Sequence, residues 1–184
     1  MANASNVSTG KPLYSGSIYV ATSANATVPT TAPSGSTETM PTGFESVGYL
    51  SEDGVELSIE VETSEIKAFG GDVVDEAQTK YTEKVSFTMI ERNARSMKVF
   101  WGDSNVTAST SGEITLIKGN SNPLPERAWV FDFALKGEKK MRLVLPKAKV
   151  TNRETISFKD GEAIGYKVTL TAFPDASGNM HYEY

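Results

Sequence analysis

The sequence predicts a mainly β protein: an antiparallel β-sandwich or barrel with one short flanking α-helix and a long projecting loop. Three observations support this fold class. Apolar and polar residues alternate along many short segments, turn residues separate these segments, and one stretch changes to helical spacing. The 184 residues fit one domain, expected at 17–174, between a flexible N-terminal arm at 1–16 and a C-terminal tail at 175–184.

The strongest alternation lies in two segments, 55–62 and 81–89, which we expect to pair as strands with one buried and one wet face. The segment between them, 63–78, is too long for a tight turn and contains Gly70 and Gly71. It is therefore predicted to project as an arm that another molecule receives. The apolar face comprises Val55, Leu57, Ile59 and Val61, and the wet face includes Glu56, Glu60 and Glu62.

The other elements follow from local patterns. Asn93 is a suitable helix N-cap and Gly102 a suitable stop, which predicts a helix of about nine residues whose Met97, Phe100 and Trp101 contact the core. The low-complexity loop 23–43 is rich in Ser, Thr, Ala, Pro and Gly, so it is expected to be a linker or to order on a partner. Further strands are predicted at 17–22, 47–51, 112–118, 128–135, 140–145, 148–150, 155–158 and 163–173, with turns at 53–54 and 160–161 and a strand end at Pro146.

The sequence does not favour catalysis. It contains no cysteine and one histidine, His181, which lies near the C-terminus and is interpreted as having no catalytic role. The glutamates of the wet face are not expected to have the raised pKa that a catalytic carboxylic acid needs. No apolar window is long enough to span a membrane. We therefore predict a protein that is not an enzyme and has no metal, no cofactor and no membrane partner.

Charge is strongly segregated within the net charge of −5. Residues 45–76 contain ten acidic residues and one lysine, whereas residues 127–153 contain eight basic and two acidic residues. Such blocks suggest two patches that complement each other between copies of the chain. The alternative is that both blocks are solvated strand faces, and charge alone does not decide between these interpretations.

The order of these motifs resembles a known family. The run GYLSEDGVELSIEVETSEIKAFGGD at 48–72 is followed by VSFTMIE at 85–91 and by a helix ending in FWG at 100–102. Together they resemble the core of the major tail tube proteins of long-tailed, non-contractile bacteriophages. The resemblance is good over 17–102 and looser to residue 174.

The resemblance implies a structural virion protein, made in the cytoplasm of the bacterial host and assembled in the phage tail. In that family, hexameric rings stack into a hollow tube, and viral DNA passes non-specifically through the lumen into the host. The partners implied are other copies of the chain and the tape-measure, tail terminator and tail-tip proteins.

The resemblance also suggests roles for individual residues. Phe69 would be the apolar anchor of an inter-ring stacking arm formed by Lys67, Phe69, Gly70, Gly71 and Asp72. Glu56, Glu60 and Glu62 would face the lumen, or would meet a basic interface formed by Lys140, Arg142 and Lys147.

Two other structural functions stay open at this point. One is a carbohydrate- or host-binding β-sandwich on a virion or cell surface, which should display aromatic side chains in its loops. The other is a tail-completion or capsid-decoration protein that forms a closed ring or trimer and stops.

Overall fold

The structure, a computed structural model, describes residues 2, 7–14, 16–34 and 40–184. Parts of the predicted N-terminal arm (1, 3–6 and 15) and of the low-complexity loop (35–39) lie outside the described residues. The described chain forms one α-helix, α1 (Ala94–Trp101), a 3₁₀ turn (Asp103–Asn105) and eleven strands. The strands are β1 (Gly10–Pro12), β2 (Ile18–Ala21), β3 (Phe44–Ser46), β4 (Leu50–Lys67), β5 (Val73–Met89), β6 (Val106–Ala108), β7 (Ile114–Ile117), β8 (Arg127–Leu135), β9 (Lys140–Arg153), β10 (Tyr166–Ala172) and β11 (Tyr182–Glu183).

Nine of the described strands form one sheet in the order β3-β2-β8-β9-β10-β5-β4, with β1 paired to β8 and β11 paired to β9. Strands β6 and β7 form a separate two-stranded sheet. All neighbouring strands in the described part of the chain run antiparallel. The predicted fold class, mainly antiparallel β structure with one short helix, is therefore confirmed.

The large sheet curls, so that strands distant in its order come into contact. Strands β5 and β8 are separated by β9 and β10, which would place them about 14 Å apart in a flat sheet. The Phe87 ring of β5 nevertheless lies edge-on to Trp129 and Phe131 of β8, with ring centroids 5.8 and 5.9 Å apart. The main core therefore fills the inside of a curled sheet.

Both faces of the central strands are buried. Helix α1 contributes to the inner core, while Ala26 and Val28 of the low-complexity loop pack against the outer face. Within the described part of that loop, Ala26 and Val28 are thus the apolar side chains that contact the chain's own sheet. The inner core includes Met97, Phe100, Trp129, Phe131 and Leu145, and the outer cluster includes Tyr19, Phe44, Ala128, Val130 and Val144.

The structure confirms the prediction of α1 from its capping residues. The Asn93 side chain accepts a 2.8 Å hydrogen bond from the backbone N–H of Ser96, and the Ser96 hydroxyl accepts one of 3.0 Å from the backbone N–H of Asn93. Gly102 ends the helix at a φ of 101°, a conformation that glycine adopts easily. The predicted core contacts are also confirmed: Met97 and Phe100 are buried, and the partly buried Trp101 packs against the same core.

At two predicted breaks between strands, the strand continues and its register shifts instead. Strand β4 runs through the predicted turn at 53–54, and its register against β5 shifts there. Strand β9 likewise runs through Pro146, beside which its register against β8 shifts. Proline is tolerated at a bulge because the extra residue does not need to donate to the sheet. The strand predicted at 155–158 is an irregular loop.

Both ends of the described chain contribute strands, which their polar composition did not predict. Strand β1 comes from the predicted flexible arm, and β11 comes from the predicted tail. Before β11, the Asp175 carboxylate accepts hydrogen bonds from the Tyr182 hydroxyl (2.7 Å) and from the backbone N–H groups of Ser177 and Asn179. These bonds, the one from Tyr182 above all, lower the pKa of Asp175 and hold the tail in a turn, while the pairing of β11 with β9 attaches the tail to the sheet.

Candidate assembly surfaces

The largest projection from the body is a two-stranded ribbon, residues 61–81. Strands β4 and β5 stay paired up to Lys67 and Val73, whereas β10 accompanies β5 only from Lys84 to Met89. The ribbon therefore extends about 30 Å beyond its neighbour, at about 3.4 Å per residue. All of its residues are exposed. The predicted projecting segment 63–78 is thus a paired ribbon with a turn at 68–72, not an unstructured loop.

The tip of the ribbon presents Phe69 to solvent. The Ala68 N–H donates to the Asp72 carbonyl (2.8 Å), and the Gly71 N–H donates to the Ala68 carbonyl (3.0 Å). Gly70 and Gly71 have φ values of 117° and 99°, which most side chains would make costly. The two glycines therefore allow a turn that leaves the Phe69 side chain fully exposed.

The apolar face at the base of the ribbon stays exposed in the single chain. Ile59 and Val61 are each 51 % exposed, and Leu57 and Tyr81 are 38 % and 39 % exposed. The predicted burial of this face is wrong beyond Val55, which packs against the core. A contiguous row of exposed apolar side chains is typical of a surface that another molecule covers.

The wet face carries the predicted carboxylates, and β5 supplies two lysines beside them. The Lys84 ammonium donates to both Glu60 oxygens, at 2.8 and 2.9 Å, and Lys80 pairs with Glu62 at 2.5 Å. The hydrogen bond from Lys84 and then its charge lower the pKa of Glu60, and the hydrogen bond to Glu62 raises the pKa of Lys80. Glu56 accepts a 3.1 Å hydrogen bond from Ser86. Two of the three predicted carboxylates of the wet face, Glu60 and Glu62, are thus paired with lysines of the same hairpin.

A buried carboxylate lies at the base of the ribbon, and sequence reasoning missed it. Glu83 accepts a 2.6 Å hydrogen bond from the Tyr81 hydroxyl, and its other oxygen lies 2.6 Å from His181 Nδ1. The bond to Glu83 raises the pKa of Tyr81. Glu83 occupies an apolar-face position of β5, and a carboxylate there requires buried partners. The position of Glu83 on the apolar face was the one sign in the sequence of a buried carboxylate. His181, through its contact with Glu83, joins the C-terminal tail to the base of the ribbon.

The structure removes Arg142 from the predicted basic interface. Its guanidinium makes two 2.7 Å hydrogen bonds to Asp132 and a 3.3 Å bond to the Thr31 carbonyl, and both charged side chains are buried. This bidentate pairing uses the Arg142 charge inside the subunit. Lys147 is exposed and pairs with Glu126 at 3.2 Å, while Lys140 is half-buried at the start of β9.

Comparison with known families decides the identity of the chain. A family model described as phage tail tube protein matches residues 3–183, nearly the whole sequence. The chain belongs to the phage tail tube protein family. No curated protein matches the sequence. Membership of this family makes the chain a structural component of the virion tail that assembles with its own copies into a tube.

Among the described residues, no group of three or more His, Asp or Glu side chains could hold a metal ion. No helix in the described part of the chain is long and apolar enough to cross a membrane.

Proposed function

We propose that this chain forms hexameric rings that stack into the hollow tube of a long-tailed, non-contractile phage. The observation that carries the proposal is the ribbon, which projects about 30 Å and is exposed along its whole length. A projection of this kind is stabilised when a neighbouring copy covers its apolar side chains. Contacts of the same two surfaces from copy to copy need not close, so they can build a filament.

The tip of the ribbon is the proposed inter-ring stacking arm. Its residues are Lys67, Phe69, Gly70, Gly71 and Asp72. Phe69 acts as the anchor because a buried aromatic side chain contributes most of the energy at many protein interfaces. The tight turn holds Phe69 outward before contact, so little conformational entropy is lost on docking.

The wet face of the hairpin is the proposed lumen surface. Because Lys80 and Lys84 already pair with Glu62 and Glu60, this face offers viral DNA no strong phosphate site. Glu56 adds negative charge, which lets a polyanion pass without sticking. In a second arrangement, these carboxylates would meet Lys140 or Lys147 of an adjacent copy.

The remaining parts of the proposal rest on family resemblance. The chain is made in the cytoplasm of the bacterial host and assembles around a tape-measure protein. Tail terminator and tail-tip proteins close the two ends of the tube, and viral DNA later passes through it into the host.

The stacking arm can be tested with Phe69→Asp. The exposed charge should leave the subunit folded, since Phe69 is fully exposed, but should block tube growth by placing a carboxylate in an apolar contact. Negative-stain microscopy of the purified variant measures tube formation, and circular dichroism measures folding. Phe69→Leu, which keeps an apolar anchor, is the matched control and should still form tubes. Normal tubes from Phe69→Asp would show that the arm assignment is wrong.

A further inference from the structure

The body contains an open groove of about 870 Å³ that the assembly proposed above does not yet use. One wall is the first half of β4, from Leu50 to Leu57, together with Tyr49. The other wall is formed by β1 and the neighbouring parts of β8 and β9. The floor is apolar and comprises Ile18, Phe133, Met141 and Leu143, and the β4 wall adds the apolar side chains of Leu50 and Val55.

The groove and the ribbon tip lie at opposite ends of the long hairpin. Leu50 in the groove wall pairs with Met89, the last residue of β5, whereas the tip connects Lys67 to Val73 at the other end. When copies stack head to tail along the direction of the hairpin, the tip of one copy approaches the groove end of the next. The two surfaces have matching character, because one presents an exposed Phe69 and the other an apolar floor.

Charges on the two surfaces also match. Lys67 precedes Phe69 on the β4 side of the tip, and Asp72 follows it on the β5 side. Glu52 and Asp53 lie on the β4 wall of the groove, and Lys11 lies on the opposite wall. Glu183 and Asp132 also line the groove, and the Asp132 charge is already paired with Arg142. A tip inserted between the walls can therefore place Lys67 beside the acidic wall and Asp72 beside Lys11.

The charges at the tip are free to exchange partners. Lys67 contacts Glu65 at 3.1 Å, and both side chains are more than half exposed. An exposed ion pair of this kind contributes little, so it can be replaced at an interface at little cost.

We propose that the groove is the receiver of the stacking arm: Phe69 of one copy inserts into the groove of the next copy along the tube, oriented by Lys67 and Asp72. This inference rests on the proposed function, since it needs copies that stack head to tail. It identifies the partner of the arm as a surface formed by β1, β4, β8 and β9 of a second copy.

Cysteine crosslinking tests the contact directly, because the chain has no cysteine of its own. Ala68→Cys places a thiol at the tip while keeping Phe69, and Met141→Cys places one on the groove floor. Assembled tubes of the double variant, treated with a short thiol-to-thiol crosslinker, should give a ladder of covalent oligomers on denaturing gels. Each single variant should give no ladder beyond dimers.

A matched control replaces the groove thiol with Phe158→Cys. Phe158 is exposed in the loop between β9 and β10, at the groove end of the hairpin but not among the groove residues. A ladder from the Met141 pair and none from the Phe158 pair supports the groove. The reverse result, or tubes without any ladder, contradicts it while leaving the tube proposal intact. Failure of the unmodified chain to form tubes contradicts both proposals.

Charge reversal supplies a second test that does not depend on crosslinking. Lys67→Glu should raise the concentration needed for tube growth at least about tenfold, because it faces Glu52 and Asp53 with a like charge. Adding Asp53→Lys should restore growth. If both variants fold and the double variant does not regain tube growth, the proposed orientation is wrong.

The accessibility of the groove can be tested in the monomer. Met141→Cys should react there with a soluble thiol reagent. Protection of this thiol would mean that another segment of the chain fills the groove.

Discussion

The Arg142 guanidinium illustrates how much of the charge in this sequence is used internally. Arg142 lies in the basic block 127–153, and the family resemblance suggested that it belongs to a basic interface with another copy. The structure shows a buried, bidentate pair with Asp132, whose strand β8 lies beside β9. Its role is therefore to join two neighbouring strands and, through the Thr31 carbonyl, to hold the low-complexity loop on the sheet.

Replacing Arg142 with Met should destabilise the subunit by about 3–5 kcal/mol, because the Asp132 carboxylate then stays buried without its cation. Chemical denaturation followed by circular dichroism measures this loss. Lys147→Met, which removes an exposed pair with Glu126, is the control and should cost about 1 kcal/mol or less. Equal small losses in both variants would contradict the structural role of Arg142. Combining Arg142→Met with Asp132→Leu should recover most of the lost stability.

Residues that act through sequence neighbours were predictable, and residues that act across the sheet were not. The N-cap at Asn93 bonds to Ser96, three positions away, so its role is visible in the sequence. Glu83 and His181 are 98 positions apart, and Arg142 is paired with Asp132 through strand register. Register depends on bulges that a periodic pattern does not reveal.

At the scale of the element, the ribbon shows that two strands can stay paired where apolar and polar residues no longer alternate in the sequence. Segment 63–78 is too long for a tight turn and contains two glycines, which predicted a projecting loop. The strands nevertheless continue, because two bulges absorb the loss of regular alternation, one beyond Glu62 and one beyond Ile66. Cross-strand hydrogen bonds, such as that from the Thr79 hydroxyl to the Glu62 carbonyl, support this continuation.

The exposed ion pairs of the β4–β5 hairpin should make the order of the ribbon weakly dependent on pH. The pKa of Glu60 is lowered from its ordinary value of 4.5, so its contribution is fully present above pH 4.5 and is lost as the pH falls through the lowered value. The pKa of Lys80 is raised from 10.5, so its contribution is present below pH 10.5 and is lost as the pH rises through the raised value. We therefore expect the ribbon to be most ordered between these limits.

An NMR titration of the Glu60 carboxyl group checks the acid limit. Its midpoint should lie below 4.5, and amide hydrogen exchange in the ribbon should accelerate as that midpoint is passed, after correction for the intrinsic pH dependence of exchange. Lys84→Met removes the principal cause and should return the midpoint to its ordinary value. A Glu60 midpoint that does not respond to Lys84→Met would contradict the pairing.

At the scale of the whole molecule, the sequence predicted the class of fold but overestimated its free charge. The alternating segments correctly indicated an antiparallel β domain with one helix. The acidic block, however, pairs in part with Lys80 and Lys84 of the same hairpin, and the basic block includes the buried Arg142. Counting charge along a chain cannot anticipate such pairs, because they form only once distant strands come into register.

The two ends of the molecule along the hairpin also differ in their surfaces, which the sequence could not show. The ribbon tip lies at one end of the hairpin, and the apolar groove lies at the other. This polarity follows from the strand order, and it gives each copy two different surfaces for its neighbours. A subunit with two such surfaces is suited to an open chain of contacts.

The central claim is that each copy is completed by the next, through the ribbon. Negative-stain electron microscopy of the purified, unmodified chain at increasing concentration tests it most directly. We predict hollow tubes with a regular axial repeat above a threshold concentration. Single particles at every concentration, from a chain shown to be folded, would contradict the claim.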